Sequence, residues 1–142
     1  MTLYLLLTSV NPLKLYLYKE GVVSFCTEDY TLEIDQLTNK QVHLSNYSIN
    51  KSSEKFNVQS HRWKLSDLWK YLKSNGIDVD EVWKKIEELC IKSVSLCLEK
   101  IREMSEDKLA SHYTSFKLMS VDIMLDEEVK PWLLEVELKF VG

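Results

Sequence analysis

The sequence predicts an α+β fold, with strands grouped at both ends of the chain and helices between them. Three observations carry this expectation. Three short runs rich in Val, Leu, Tyr and Phe open the chain and are separated by turn residues. Two stretches in the middle repeat apolar residues at three and four positions, the period of amphipathic helices. Two further apolar runs, joined by an acidic turn, come last. Strands that cluster apart from helices form antiparallel sheet that the helices then cover.

Composition narrows the class. The 142 residues are about one domain in size and can bury a sizeable core. An apolar content of 45% with 28% charged residues is that of a globular protein and not of a disordered one. A formal charge of -4 argues against a general nucleic-acid binder. The first apolar run is too short to span a bilayer and has no basic segment before it, so it reads as a strand and no membrane partner is expected. Cys26, Cys90 and Cys97 form neither a metal-ligand spacing nor an even disulfide framework, which points to a reducing compartment. His43, His61 and His112 are scattered, which argues against a zinc site. No Ser/His/Asp or Cys/His arrangement emerges, and no catalytic side chain is assigned.

Taken in order, residues 3–10, 13–18 and 22–27 are expected strands, broken by Asn11-Pro12 and Lys19-Glu20-Gly21. Leu13, Leu15 and Leu17 alternate with Lys14, Tyr16 and Tyr18, as on a strand with two unlike faces. Residues 28–40 are polar and read as a loop, and 41–47 as a short strand. The polar run Ser45-Asn46-Tyr47-Ser48-Ile49-Asn50-Lys51 follows; it either makes a turn or offers hydroxyls and amides to a phosphate, a ribose or a carboxylate.

Leu65, Leu68, Trp69 and Leu72 predict a helix over 66–74 with Gly76 just past its end. Asp78 with Glu81 reads as an N-cap and its capping-box partner. Val82, Ile86, Leu89, Cys90, Val94, Cys97, Leu98 and Ile101 then mark one face of a long helix to about Met104. That stripe faces either the core or a partner helix, and Cys90 and Cys97 are expected to be buried on it. Residues 106–112 read as a polar link, and 113–125 lead into the closing hairpin. From Lys51 to Lys73, six basic residues (Lys51, Lys55, Arg62, Lys64, Lys70, Lys73) outnumber Glu54 and Asp67, which makes either a solvated face or a surface for an acidic partner.

The hairpin, MSVDIMLDEEVKPWLLEVE, carries the chemistry. Strand alternation puts Glu135 and Glu137 on one face, about 7 Å apart, with Trp132, Leu134 and Val136 forming an apolar wall on the other. A turn near Glu128 and Val129 brings Asp122 opposite Glu135. Opposed carboxylates repel unless a proton or a cation lies between them. Mg²⁺ fits, since it takes one or two carboxylates and leaves its other positions to water and phosphates. The alternative is a solvated acidic strand face.

Four stretches resemble the tubulin tyrosine ligase-like family, in particular its tubulin polyglutamylases. They are LLTSVNPLKLYLYKEGVV (6–23), HLSNYSINK (43–51), HRWKLSDLWKYLKSNGIDVDEVWKKIE (61–87) and VDIMLDEEVKPWLLEVE (121–137), in the family's order and over most of the chain. The resemblance implies the central and C-terminal part of an ATP-grasp ligase domain, with a nucleotide-clamping lobe expected upstream and further family sequence downstream. It implies a ligase that adds free glutamate to side-chain carboxylates in the acidic C-terminal tails of tubulin, using ATP and Mg²⁺ through an acyl phosphate. It places such a protein in the cytoplasm, on the microtubule cytoskeleton and at the basal body of the cilium. By motif, Asp122, Glu135 and Glu137 are the implied metal ligands, Ser45 and Asn46 contact ATP, and Tyr47, Ser48 and Arg62 contact glutamate. The basic segment 51–73 is expected to hold the tail; the alternative is a non-catalytic module that binds such tails.

The sequence also departs from the family. Glu137 stands where an asparagine is usual after Glu-Val, so the site charge differs. Ser24 stands where an arginine usually meets the substrate carboxylate, and serine cannot form that bidentate pair. Met119-Ser120-Val121 replaces a Phe-Gly-Phe type stretch, and Gly21, Gly76 and Gly142 are too few for a glycine-rich phosphate loop.

Overall fold

Leu3, Leu5 and Leu7 alternate with Thr2, Tyr4 and Leu6 along the first strand, and this alternation organises the molecule. The computed structural model of the chain describes residues 1–106 and 116–139. His112 and most of the expected polar link lie outside the described residues, as does the side chain of Ile101. The elements are β1 (Thr2–Val10), β2 (Leu13–Leu17), β3 (Val22–Ser24), a 3-10 turn (Ile34–Gln36), α1 (Lys40–His43), α2 (Tyr47–Asn50), α3 (Val58–His61), β4 (Arg62–Lys64), α4 (Leu65–Ser74), α5 (Val79–Glu106), β5 (Lys117–Leu125) and β6 (Pro131–Lys139).

These strands build one antiparallel sheet of order β4-β3-β1-β5-β6, with β2 beside the outer half of β1. The core lies on one face. Leu3, Leu5 and Leu7 of β1, Val23 of β3 and Met119, Val121 and Ile123 of β5 meet Leu65 and Leu68 of α4 and Val82, Ile86, Cys90 and Val94 of α5. Each such aliphatic side chain contributes about 1.5–3 kcal/mol by leaving water. The helices α4 and α5 therefore cover one face of the sheet, as the α+β expectation requires, and among the described residues the alternate positions form a face that these two helices leave uncovered.

The helix ends follow from local chemistry. Glu20 Oε1 accepts the Ser66 N–H and so caps α4 from outside, because Lys64 at the N-cap position makes no side-chain capping bond. At the other end Gly76 has φ 82°, and its N–H and that of Ile77 donate to Lys73 and Leu72 carbonyls, closing a Schellman motif. Asp78 Oδ1 accepts from the Asp80 and Glu81 N–H groups and starts α5. The capping box is only half made, since the Glu81 carboxylate pairs with Lys85 instead. Gly21 lies so close to β1 that an added Cβ would meet the Thr2 carbonyl oxygen at 2.6 Å.

Several expectations are corrected. Residues 41–47 are not a strand: they fall in α1, the link after it and the start of α2. Asn39 Oδ1 caps α1 through the Gln41 N–H, and the buried Asn50 amide ties α2 to the Leu44 and Asn46 carbonyls. These side-chain bonds outweigh the weak β-propensity of a short run. The strand expected over 22–27 ends at Ser24, and the three-residue β4 was not foreseen. Cys97 is exposed while Cys90 is buried, because the core contact of α5 weakens past Val94.

The apolar wall of β6 is also corrected. A bulge between the Asp122–Glu135 and Ile123–Leu133 pairs leaves Leu134 as an extra residue, so Leu133 and not Leu134 packs on the core. Trp132 pairs with Met124 on the uncovered face, and Trp132, Leu134 and Val136 are all exposed.

Candidate functional site

The uncovered face carries a single rung of paired residues across five strands. Lys64 of β4 pairs with Val22 of β3, Val22 with Thr2 of β1, Thr2 with Asp122 of β5, and Asp122 with Glu135 of β6. Directly paired residues share a face, so a cation stands at one end of the rung and two carboxylates at the other. The next pairs along are Ser24 with Arg62 on one side and Tyr4 with Ser120 and Ser120 with Glu137 on the other.

Asp122 and Glu135 are thus brought together, with Glu137 two residues further along β6. Among the described residues no three His, Cys, Asp or Glu side chains converge closely enough to hold a metal ion. The expected trio is a facing pair plus an outlying third. The Thr2 hydroxyl donates to Asp122 Oδ1 at 2.5 Å and fixes that carboxylate. Sequence reasoning missed Thr2; only the β1–β5 register reveals it. All donors at the pair are hard oxygens, which fits a divalent cation bound by one or two carboxylates that shares its remaining positions with water and phosphate.

The hairpin turn sets this register. Asp126 Oδ1 accepts from the Glu128 and Lys130 N–H groups, and its Oδ2 accepts from Trp132 Nε1 at 2.7 Å. The Trp132 bond, then the two backbone N–H groups, hold the Asp126 carboxyl below the usual carboxylate range. Lys130 closes the turn with its ammonium 4.1 Å from the Trp132 ring centroid. Val129 takes φ 60°, a left-handed conformation that the tightness of the turn imposes on a β-branched residue.

A second cluster forms where α2 meets β4. The Arg62 guanidinium lies 5.0 Å and the Lys51 ammonium 5.7 Å from the centroid of the Tyr47 ring. Tyr47 also packs edge-on against Phe56, and Phe56 stacks on His61. Tyr47 and Arg62, expected together, are therefore adjacent. Ser45 and Asn46 immediately precede α2 and Ser48 lies within it; Asn46 occupies its N-cap without a side-chain capping bond. Asn50 anchors the helix from beneath, accepting at Oδ1 from the Thr27 N–H and hydroxyl at 2.9 and 3.0 Å. Strands β3 and β1 stand between the strands of Arg62 and Asp122, so the two clusters sit at opposite ends of one face.

Of the basic segment, Lys55 pairs with Glu28 and Lys70 with Asp67, while Lys51, Arg62, Lys64 and Lys73 have no ion-pair partner among the described residues. A shallow apolar cleft of about 240 Å³, lined by Phe25, Ser60, Trp63, Leu68 and Tyr71, lies on the helix side, away from the carboxylates. Among the described residues no helix is long and apolar enough to cross a membrane.

A sheet with helices on one face and opposed carboxylates on the other defines a class of domain, and comparison with known sequences narrows it. The sequence pattern of the tubulin-tyrosine ligase family matches residues 1–139, and the chain belongs to that family. It is 35% identical to a Mus musculus protein named tubulin monoglutamylase TTLL4, over 96% of this chain and 12% of that protein. It is 36% identical to the Caenorhabditis elegans tubulin polyglutamylase ttll-4, over 96% of this chain and 23% of that protein. With the Mus musculus tubulin polyglutamylase TTLL6 it shares 38% identity over 94% of this chain and 17% of that protein. The chain thus spans less than a quarter of the length of these relatives.

Proposed function

We propose that this chain is part of an ATP- and Mg²⁺-dependent ligase of the ATP-grasp class that joins glutamate to side-chain carboxylates in the acidic C-terminal tails of tubulin. The facing pair Asp122 and Glu135, on the open face of a tubulin-tyrosine ligase family domain, is the observation that carries this reading. The names of the relatives support tubulin as the acceptor protein. Such an enzyme works in the cytoplasm, on microtubules and at ciliary basal bodies.

In this reading the terminal phosphoryl group of ATP passes to an acceptor carboxylate, releasing ADP. The amine of free glutamate then attacks the acyl phosphate, phosphate departs, and the amine gives up a proton as the amide forms. When bound, Mg²⁺ supplies charge neutralisation at the phosphoryl oxygens. Asp122 and Glu135 would hold it, with Glu137 adding negative charge nearby, and Thr2 keeps Asp122 oriented through its hydroxyl. Ser45 and Asn46 offer polar groups to ATP. Tyr47 and Ser48 contact the incoming glutamate, and the Arg62 guanidinium meets one of its carboxylates. Lys51 and Lys73 draw the acidic tail, a contact that salt weakens.

A second reading, a non-catalytic module for acidic tails, draws support from the cations of 51–73 that lack ion-pair partners among the described residues. Nucleotide and tail binding by the purified full-length protein separate the two. The ligase reading expects Mg²⁺-dependent ATP binding that Asp122→Ala or Glu135→Ala abolishes. Tail binding that ignores Asp122→Ala, without any nucleotide binding by the unmodified protein, establishes the module instead.

A further inference from the structure

The rung that ends at Asp122 and Glu135 begins at Lys64, which the proposed chemistry leaves unused. Strand alternation in β4 sends Trp63 toward the core, where its ring meets Phe25 edge-on with 5.1 Å between centroids. Arg62 and Lys64 therefore share the open face, about 7 Å apart along the strand. Both are exposed and neither has an ion-pair partner among the described residues. Lys64 is not spent on capping α4 either, because Glu20 does that.

Only Val22 and Thr2, both short side chains, stand between Lys64 and Asp122 on the rung. Three strand spacings put the Cα atoms of Lys64 and Asp122 about 14 Å apart. A lysine chain reaching inward over Val22 leaves room there for a small molecule with an anionic end toward β4 and a reacting end toward the carboxylate pair. Two cations on one strand offer two carboxylate sites. A guanidinium suits bidentate capture of one, and an ammonium acts as a point charge for the other. Ser24, paired with Arg62, supplies no charge of its own, so on this pair of strands the charge toward an anionic substrate comes from β4.

Resting on the glutamate-ligase reading, we infer that Lys64 is a specificity-determining residue that binds the side-chain carboxylate of the incoming amino acid, while Arg62 takes its α-carboxylate. The amine then faces the Asp122–Glu135 end, and a donor without a second carboxylate loses the Lys64 contact. This selects dicarboxylic amino acids over their amides.

The test is transfer of labelled amino acids to tubulin by the full-length protein with ATP and Mg²⁺, comparing Lys64→Ala, Lys64→Arg and, as a control on α5, Lys92→Ala. Lys64→Ala should raise the KM for glutamate about tenfold or more with kcat little changed, as expected for loss of one charge-assisted contact. Its preference for glutamate over glutamine should fall toward parity, and Lys64→Arg should restore much of it. A direct titration with L-glutamate should shift the β4 backbone amides in both proteins, with a midpoint about tenfold or more higher in Lys64→Ala than in the unmodified protein. If the unmodified protein transfers glutamate and Lys64→Ala keeps both its KM and its preference, the inference fails and the ligase reading stands. If the unmodified protein transfers no glutamate, the ligase reading fails and the inference goes with it.

Discussion

Asp122 sits directly across the β5–β6 ladder from Glu135, at the edge of the bulge that makes Leu134 an extra residue. Like charges directly opposed on paired strands destabilise them, by up to about 1 kcal/mol. Glu135→Gln is therefore expected to raise the unfolding temperature in the absence of divalent cations. With Mg²⁺ at about a hundred times its Kd the unmodified protein should gain about 2.7 kcal/mol, and the variant little or none. Thermal unfolding with and without Mg²⁺ reads both effects; a lower unfolding temperature for Glu135→Gln without Mg²⁺ would count against repulsion in the pair.

Asn50 is 1% exposed and joins Thr27, Leu44 and Asn46 through four hydrogen bonds. Asn50→Ala strands the Thr27 N–H and the Leu44 carbonyl in the interior and is expected to cost about 2–3 kcal/mol in chemical denaturation. Because Asn50 ends the helix that begins at Tyr47, the same variant should loosen the Tyr47–Arg62 contact and weaken glutamate binding.

Glu20 offers a pH signature. The backbone N–H of Gly21 first, and the Ser66 and Leu65 groups with it, hold its carboxyl below the usual value, outweighing the opposing effect of burial. A depressed folded-state value means the contribution is present above the unfolded value of 4.5 and is lost as pH falls through the lower folded one. Glu20→Ala removes the cap of α4 and is expected to cost about 1 kcal/mol near neutral pH. The penalty should shrink as the solution is acidified below pH 4; an equal penalty at every pH would show that the carboxylate charge is not what caps the helix.

Cysteine reactivity separates the two ends of the α5 stripe. Burial, with Glu87 nearby, pushes the Cys90 thiol up to about 11, and Cys97 is exposed. An alkylating reagent at pH 8 should modify Cys97 first and Cys90 only when the protein unfolds, as read by mass spectrometry of the peptides. Cys26, half-buried and with its thiol raised by desolvation, should react at an intermediate rate.

The sequence made the α+β class, the first two strands, both long helices and the Asp122–Glu135 pairing legible, because each rests on a strong period or an unambiguous turn signal. It failed where a side chain overrode the local pattern. The Asn39 and Asn50 amides turned an apparent strand into two short helices. At β6 alternation alone misplaced Trp132 and Leu134, since a bulge changes which residues face the core without leaving a mark in composition. Thr2 was invisible as a neighbour of Asp122, and Lys64 was legible only as one of the basic residues of 51–73, for a related reason: their relation to Asp122 exists only through sheet register, which links residues far apart in sequence. The Tyr47–Arg62 neighbourhood was suggested by family resemblance and by nothing in local periodicity.

The central claim is that the facing carboxylates of β5 and β6 serve glutamate ligation, and transfer of labelled glutamate to tubulin by the full-length protein tests it most directly. Incorporation should require both ATP and Mg²⁺, and Asp122→Ala or Glu135→Ala should lower it at least about a hundredfold, the scale of a lost electrostatic contact to a phosphoryl transition state. Full incorporation by either variant, with tubulin tails still bound, would contradict the account.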